Sequence, residues 1–172
     1  MRITVGIIRD INPKKTNWIK NIFMKKLIIL LIFVVGCNEP QTPKKNIEYF
    51  NSPEHLANDY PFSEATVVND IIYVSGQIGT SENGEVVSGG IEAETLQALE
   101  NIESILKRMG GSKSDIFKCT CMLKDINDWP SMSKTYKSFF EGLMLPSRSA
   151  FAGSGLALGA LVEIECLAIR NR

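Results

Sequence analysis

The chain has 172 residues, of which 44% are hydrophobic and 22% charged, and these values exclude a disordered, collagenous or multi-domain protein. Nineteen Lys and Arg residues balance nineteen Asp and Glu residues, so the overall charge gives no attraction toward nucleic acid. The charge is unevenly divided, because residues 1–36 carry a net charge of +6 and residues 37–172 a net charge of −6. This division predicts a basic leader ahead of an acidic folded domain.

Residues 24–36 have the order of a secretory signal: a basic start at Lys25-Lys26, nine apolar residues and then Gly36 before Cys37. Nine helical residues that rise ~1.5 Å each cannot cross a hydrocarbon core of ~30 Å. The tetrapeptide Val-Val-Gly-Cys at residues 34–37 resembles a bacterial lipobox, which predicts lipidation at Cys37. The alternative is an uncleaved hydrophobic N-terminal anchor.

The leader also sets the expected boundaries of the chain. We expect translation to start at Met24, which leaves residues 1–23 as an upstream mis-start. Residues 37–46 are short and polar with two prolines, which is typical of a tether. Residues 47–172 form the expected folded domain. The predicted location is the cell envelope, lipid-anchored and extracytoplasmic, or the cytoplasm if the signal is not used.

The first strands of the domain are predicted from two turns. Residues 66–68 and 71–77 are rich in β-forming residues and flank Asn69-Asp70, a pair that tolerates the positive φ of a two-residue hairpin. Asn83-Gly84 predicts a second turn, within residues 81–85.

Apolar residues at helical spacing predict two helices. Residues 91–109 form the first, which Gly110-Gly111 ends. The second is predicted to begin at a cap on Asp128 and to end at Pro146.

Further strands are predicted at residues 116–123, 147–152 and 161–169. The order predicts an α+β fold, a single sheet with two helices packed on one face. Two helices cover only one face. The last strand alternates a continuous apolar row with a mixed row that includes Glu163, so the uncovered face is expected to meet another subunit.

Three cysteines lie within the domain. Cys119 and Cys121 alternate in a strand and share one face. A Cys-x-Cys pair can bind metal, but His55 is the only histidine and no further ligand stands at suitable spacing. We therefore interpret these residues and Cys166 as small buried hydrophobic side chains, with neither a metal nor a disulfide.

Two charged residues have the chemistry of a site. Arg148 stands alone in an uncharged stretch, where an arginine is either a surface residue or a bidentate anion ligand. Glu163 is either a solvated strand residue or a general base. The domain has no Gly-x-Ser-x-Gly, P-loop or dinucleotide-binding motif.

Several collinear segments carry a resemblance to a known family. They are Ser75-Gly76-Gln77, residues 118–128, Tyr136 with Phe139-Phe140, Pro146-Ser147-Arg148-Ser149 and residues 162–169. From about Pro61 to Arg170 they resemble the Rid (YjgF-type) reactive intermediate deaminases. The resemblance implies a chorismate-mutase-like fold and a homotrimer with clefts between subunits. It also implies cofactor-free hydrolysis of 2-imino or 2-enamino acids to 2-keto acids and ammonia, as by a 2-iminobutanoate/2-iminopropanoate deaminase.

The same resemblance implies roles for individual residues. Arg148 matches the arginine that binds the substrate carboxylate, and Glu163 matches the acid that positions water. Ser75 and Gly76 match the segment that lines the cleft. Phe62 stands in the substrate-binding segment where many members have tyrosine, and Ala150 stands where a cysteine often follows Arg-Ser.

Two alternatives to the enzyme remain open. In the first alternative, the same trimer binds small carboxylates without converting them, and the presence of Phe62 favours this interpretation. In the other, Arg148 forms salt bridges between subunits of a purely structural trimer. The expected partners are a small imino or enamino acid, further copies of the chain and a membrane reached through the lipid at Cys37, with no nucleic acid.

Overall fold

The structure is a computed structural model that describes residues 46–170. The predicted mis-start, signal peptide, lipidation site at Cys37 and nearly all of the tether lie outside the described residues. No helix within residues 46–170 is both long enough and apolar enough to span a membrane.

Six strands form one sheet in the order β1-β2-β3-β6-β4-β5. Neighbouring strands are antiparallel except β4 and β5, which are parallel. The strands are β1 (Ile47–Phe50), β2 (Ala65–Val68), β3 (Ile71–Ile78), β4 (Ile116–Leu123), β5 (Ser147–Ala152) and β6 (Val162–Ile169).

Two long helices pack on one face of the sheet. They are α2 (Gly90–Arg108) and α3 (Trp129–Phe139), and the short helix α1 (Pro53–Ala57) lies between β1 and β2. α2 contacts β3, β6 and α3, and its apolar stripe is buried at Leu99, Ile102 and Leu106. The predicted α+β arrangement, one sheet with two helices on one face, is confirmed.

The alternation predicted for the last strand is present in β6. Val162, Ile164, Cys166 and Ala168 are all buried beneath the helices. The other row, which consists of Glu163, Glu165, Leu167 and Ile169, is half-buried or exposed. Side chains alternate between the faces of a strand, so Glu163 lies on the face that the helices leave open.

Both predicted turns form. Asn69 takes φ 58° between β2 and β3, which is the left-handed conformation that a two-residue hairpin needs. At the second turn the Ser81 amide donates to the Glu85 carbonyl at 2.9 Å, and Gly84 takes φ 80°.

The predicted end of the second helix was wrong. α3 ends at Phe139 rather than at Pro146, because the chain leaves the helical conformation at Phe140 and Gly142 takes φ 81°. The sequence patterns also missed β1 and α1, which are too short to show a clear period.

The absence of a disulfide was also predicted wrongly. Cys119 and Cys166 form one, with Cα atoms 4.1 Å apart, and they are direct partners across antiparallel β4 and β6. This pairing depends on the register between two strands whose cysteines are 47 residues apart in sequence, and the spacing within Cys-x-Cys does not indicate it. Cys121 is a free, buried thiol as expected.

Candidate active site

Arg148 lies near the start of the edge strand β5, in register with Cys119 of β4. Its half-buried guanidinium lies against α3, with the Cζ atom 4.8 Å from the centre of the Tyr136 ring and 5.6 Å from that of Trp129. Nη2 donates to Ser133 Oγ at 2.8 Å, and Nη1 lies 3.5 Å from Met132 Sδ. The arginine is therefore held by one side of a helix and retains unused N–H donors.

Two titratable side chains near Arg148 are desolvated by burial. Burial raises the pKa of the Cys121 thiol to about 11, although the charge on Arg148 acts in the opposite direction. Burial also raises the pKa of the Tyr136 phenol, with a further contribution from Cys121. A charge in a poorly hydrated setting attracts an anion more strongly than one in bulk water, so this environment suits a carboxylate ligand.

Glu163 lies beside a break in the sheet register. The ladder between β3 and β6 shifts between Val74 and Gln77, so Ser75 and Gly76 form a β-bulge opposite the strand that carries Glu163. A Cβ at Gly76 would lie 2.9 Å from Glu163 Cδ and closer still to Oε1. Glycine at this position therefore makes room for the carboxylate to lie over the bulge.

The segment that contains Phe62 is fastened to the same bulge. Ser75 Oγ donates to the Ser63 carbonyl at 2.7 Å, and the Ser75 amide donates to the Glu64 carbonyl at 2.9 Å. Phe62 is about half exposed, at 51%. The structure thus brings Ser75, Gly76, Glu163 and the Phe62 segment to one part of the sheet.

Two aromatic neighbours of Phe62 were missed from the sequence. The ring of Tyr60 stacks on Phe62 with centroids 5.5 Å apart, and His55 meets Phe62 edge-on at 5.4 Å. The buried His55 Nε2 has no hydrogen-bond partner within residues 46–170. No spacing in the sequence indicates this cluster, since it depends on α1 folding back beside residues 60–62.

A single chain does not bring Arg148 and Glu163 together. Arg148 pairs with Cys119 and faces the helices, whereas Glu163 pairs with Met122 on the open face. Within residues 46–170 no carboxylate lies within ion-pair distance of Arg148, and Glu163 has no hydrogen-bond partner. The site is divided into an arginine half and a glutamate half on opposite faces.

Within residues 46–170 the predicted site residues neither form a metal-binding group nor line the cavity between the helices. No group of three or more His, Cys, Asp or Glu residues within the described range is arranged to bind a metal ion. A cavity of about 260 Å³ between α2 and α3 contains none of the predicted site residues. Its lining residues are Glu92, Leu96, Lys134, Thr135, Ser138 and Phe139.

The fold and the two half-sites define the class: a single-sheet α+β domain with an arginine and a glutamate on its last two strands. Residues 53–170 match the family described as Endoribonuclease L-PSP. The chain belongs to this family, which includes the Rid and YjgF proteins.

Named relatives agree with this assignment. The chain is 40% identical over 112 residues to the 2-iminobutanoate/2-iminopropanoate deaminase of Mus musculus, covering 64% of this chain and 82% of the mouse protein. The crystal structure of a Rid-family protein of unknown function from Yersinia pestis is similar at 39% identity and a TM-score of 0.61, over 63% of this chain and 87% of that one. The crystal structure of the YjgF gene product of E. coli is similar at 31% identity and a TM-score of 0.62, over 66% of this chain and 91% of that one.

Proposed function

We propose that the protein is a hydrolytic deaminase that converts 2-imino and 2-enamino acids to 2-keto acids and ammonia. The observation that carries the proposal is the half-buried guanidinium of Arg148, held by α3 and free of any carboxylate partner within residues 46–170. A relative that is 40% identical is named for this activity, which supports the assignment of substrate class.

In the proposed reaction Arg148 binds the substrate carboxylate through two parallel hydrogen bonds. Glu163 accepts a proton from a water molecule whose oxygen forms a bond to C2 of the imine. As this bond forms, the C2=N double bond becomes a single bond with its electron pair on nitrogen, which takes up one proton from the Glu163 carboxyl and a second from solvent. The hydroxyl group on C2 then gives up its proton as the C2=O double bond forms, the C2–N bond breaks with its electron pair on nitrogen, and ammonia departs. An enamino acid enters the same route after a proton is added at C3, which converts it to the N-protonated imine.

The division of the site supports a homotrimer with clefts between subunits. Because Arg148 and Glu163 lie on opposite faces of one sheet, a cleft that contains both requires residues from two copies. The open face also exposes large apolar side chains that water does not favour. They are Tyr73, Phe117, Phe151 and Ile169, each between 39% and 51% exposed. Light scattering of the purified protein at micromolar concentration is expected to give three subunits, and a monomeric mass would contradict the proposal.

The activity is tested with imino acids generated by an amino-acid oxidase, in competition with semicarbazide trapping. The wild type is expected to divert substrate from the trap. Arg148→Ala should raise KM or lower kcat/KM by about 10- to 150-fold, since charge-assisted hydrogen bonds contribute ~1.5–3 kcal/mol. Arg148→Lys should recover little, because a point charge does not reproduce the fork. Glu163→Gln should lower kcat more than it changes KM.

A carboxylate-binding trimer without turnover is the second candidate, and Phe62 supports it. Phe62 places a half-exposed ring beside the bulge, without the hydroxyl that many members of the Rid family have there. Binding of a 2-keto acid that depends on Arg148, in a wild type with no deaminase activity, would favour this candidate and contradict the enzyme.

We also propose that the protein is exported and anchored in the cell envelope through lipid at Cys37. The disulfide between Cys119 and Cys166 supports export, because disulfides persist in oxidising compartments and are rare in the cytosol. Labelling with a radioactive fatty acid in a bacterial host is expected to mark the wild type and spare Cys37→Ala. Equal labelling of both proteins would contradict the anchor.

A further inference from the structure

We propose that one side of α3, formed by Trp129, Ser133 and Tyr136, positions the Arg148 guanidinium before a ligand arrives and thereby sets the affinity for carboxylates. This inference rests on the proposed function and deepens it. The three side chains, here called the α3 cradle, are positioning residues, since they act on the substrate through Arg148.

The cradle follows from helical geometry. Residues 129, 133 and 136 are separated by four and three positions, so they lie along one face of a helix. That face meets the start of β5, where Arg148 stands. The local sequence therefore supplies two aromatic rings and a hydroxyl to one guanidinium.

The three cradle residues make two kinds of contact with Arg148. The Tyr136 and Trp129 rings lie 4.8 Å and 5.6 Å from Arg148 Cζ, within the range in which an aromatic face attracts a cation. Ser133 Oγ accepts a hydrogen bond from Nη2 at 2.8 Å. Together these contacts restrict the side-chain rotamers of an arginine that would otherwise be mobile at a sheet edge.

The cradle leaves the arginine able to bind a ligand. A guanidinium has five N–H donors, and the described contacts use one on Ser133 and one, weakly, on the sulfur of Met132. Enough donors remain for a bidentate bond to a carboxylate. Holding a ligand-binding group in its bound conformation reduces the ordering cost of binding, so the cradle should affect KM and Kd more than kcat.

Trp129 is the cradle residue best suited to a test. It is 44% exposed, whereas Tyr136 is 4% exposed and part of the core, so Trp129→Leu should leave the fold intact. Trp129→Phe keeps an aromatic ring and serves as the conservative variant. Leu96 offers a matched control, because it is 41% exposed on α2 and lines the cavity that contains none of the predicted site residues.

The experiment measures kcat, KM for the imino acid and Kd for 2-oxobutanoate in the purified full chain. Trp129→Leu should raise KM and Kd by about 3- to 30-fold, the range expected from loss of a partly desolvated cation–π contact, with a smaller change in kcat. Trp129→Phe should restore most of the affinity. Ser133→Ala should also raise KM and Kd, because it removes a hydrogen bond from the charged guanidinium. Leu96→Ala should change none of the three values.

A double-mutant cycle separates action through Arg148 from direct contact with substrate. In an Arg148→Ala background, Trp129→Leu should cost no further affinity. An equal loss in both backgrounds would overturn the proposed positioning role.

A spectroscopic measurement keeps this test distinct from that of the proposed function. In the ligand-free protein, the 15N-edited resonance of Arg148 Nε–H should show a ring-current shift that shrinks in Trp129→Leu. Its assignment follows from its loss in Arg148→Lys. A resonance at the position of free arginine would overturn the cradle even in an active enzyme.

A different result would contradict the proposed function, namely a wild type that neither turns over imines nor binds 2-oxobutanoate. In that case the Arg148 resonance would still decide whether α3 holds the guanidinium.

Discussion

Around Arg148 a single chain supplies two aromatic rings, a hydroxyl and a thioether, whereas around Glu163 it supplies a glycine bulge on an open sheet face. The guanidinium is fixed by contacts that arise within residues 129–148. The carboxylate of Glu163 has no hydrogen-bond partner within residues 46–170. One half of the site is thus organised within the chain, and the other half is left for a ligand or a second copy to complete.

This difference follows from the physical nature of the two groups. A long arginine side chain has many rotamers and gains most from being held in advance. A short glutamate on a regular strand is already placed by its backbone, and it needs chiefly room beside it. The expected effects of mutation therefore differ: Arg148 should be sensitive to its neighbours, and Glu163 should be sensitive to crowding at Gly76.

The largest effect is expected from removing the covalent link between the two halves. The disulfide joins Cys119, the register partner of Arg148, to Cys166 on the strand that carries Glu163. Replacing both cysteines with alanine should lower the free energy of unfolding by about 2–4 kcal/mol, as is typical for native disulfides. Urea denaturation measures this change. Cys121→Ala removes a buried sulfur that forms no disulfide, and the prediction fails if it costs as much.

The next largest effect is a dependence of the free energy of unfolding on pH, which arises from the buried Cys121 thiol near Arg148. Burial raises the pKa of Cys121 from 9.0 to about 11, so the unfolded chain ionises first as the pH rises. The contribution of the neutral Cys121 thiol to the free energy of unfolding is complete below about pH 9 and is lost as the pH rises to about 11. Over that interval the free energy of unfolding should fall by about 1.4 kcal/mol for each pH unit.

The control for this pH dependence is Cys121→Val, which keeps an apolar side chain of similar size and removes the titrating thiol. Denaturation at several pH values should give a shallower decline for the variant. Tyr136 is present in both proteins, so the part of its raised pKa that comes from burial cancels in the comparison, whereas the part that comes from Cys121 is lost together with the thiol. Equal slopes for the two proteins would show that the thiol is not desolvated in solution.

A smaller effect is expected from crowding the glutamate half. Gly76→Ala would place a methyl group against the end of the Glu163 side chain and displace its carboxylate. Because a positioned general base contributes ~10²–10⁴-fold, partial displacement should lower kcat by about tenfold, with little change in thermal midpoint since the side chain is flexible. Gly153→Ala is the control, because nothing lies within 4 Å of its added methyl group. Unchanged kcat in Gly76→Ala would contradict the placement of Glu163 in the reaction.

The sequence predicts the elements of this site better than their surroundings. Period-two and helical patterns place Arg148 on β5, Glu163 on β6 and the helices on one face, because each pattern depends on residues close in the chain. The disulfide and the β-bulge depend on register between strands far apart in sequence. The α3 cradle needs the packing of a helix on a strand edge. These features are tertiary, and no local spacing indicates them.

The smallest effect concerns Phe62, and it tests how complete the glutamate half is. The resemblance to the Rid family implies a tyrosine at this position, and Phe62 is half exposed beside the bulge that faces Glu163. Phe62→Tyr adds a hydroxyl able to hold water or the imine nitrogen. A new hydrogen bond of ~0.5–1.5 kcal/mol corresponds to a rise of about two- to tenfold in kcat/KM. Phe62→Leu removes the ring without adding a hydroxyl and should lower kcat/KM.

If Phe62→Tyr gives no rise in kcat/KM, the missing hydroxyl does not limit this protein. The neighbouring hydroxyl of Tyr60, whose ring stacks on Phe62, then becomes the group to remove with Tyr60→Phe.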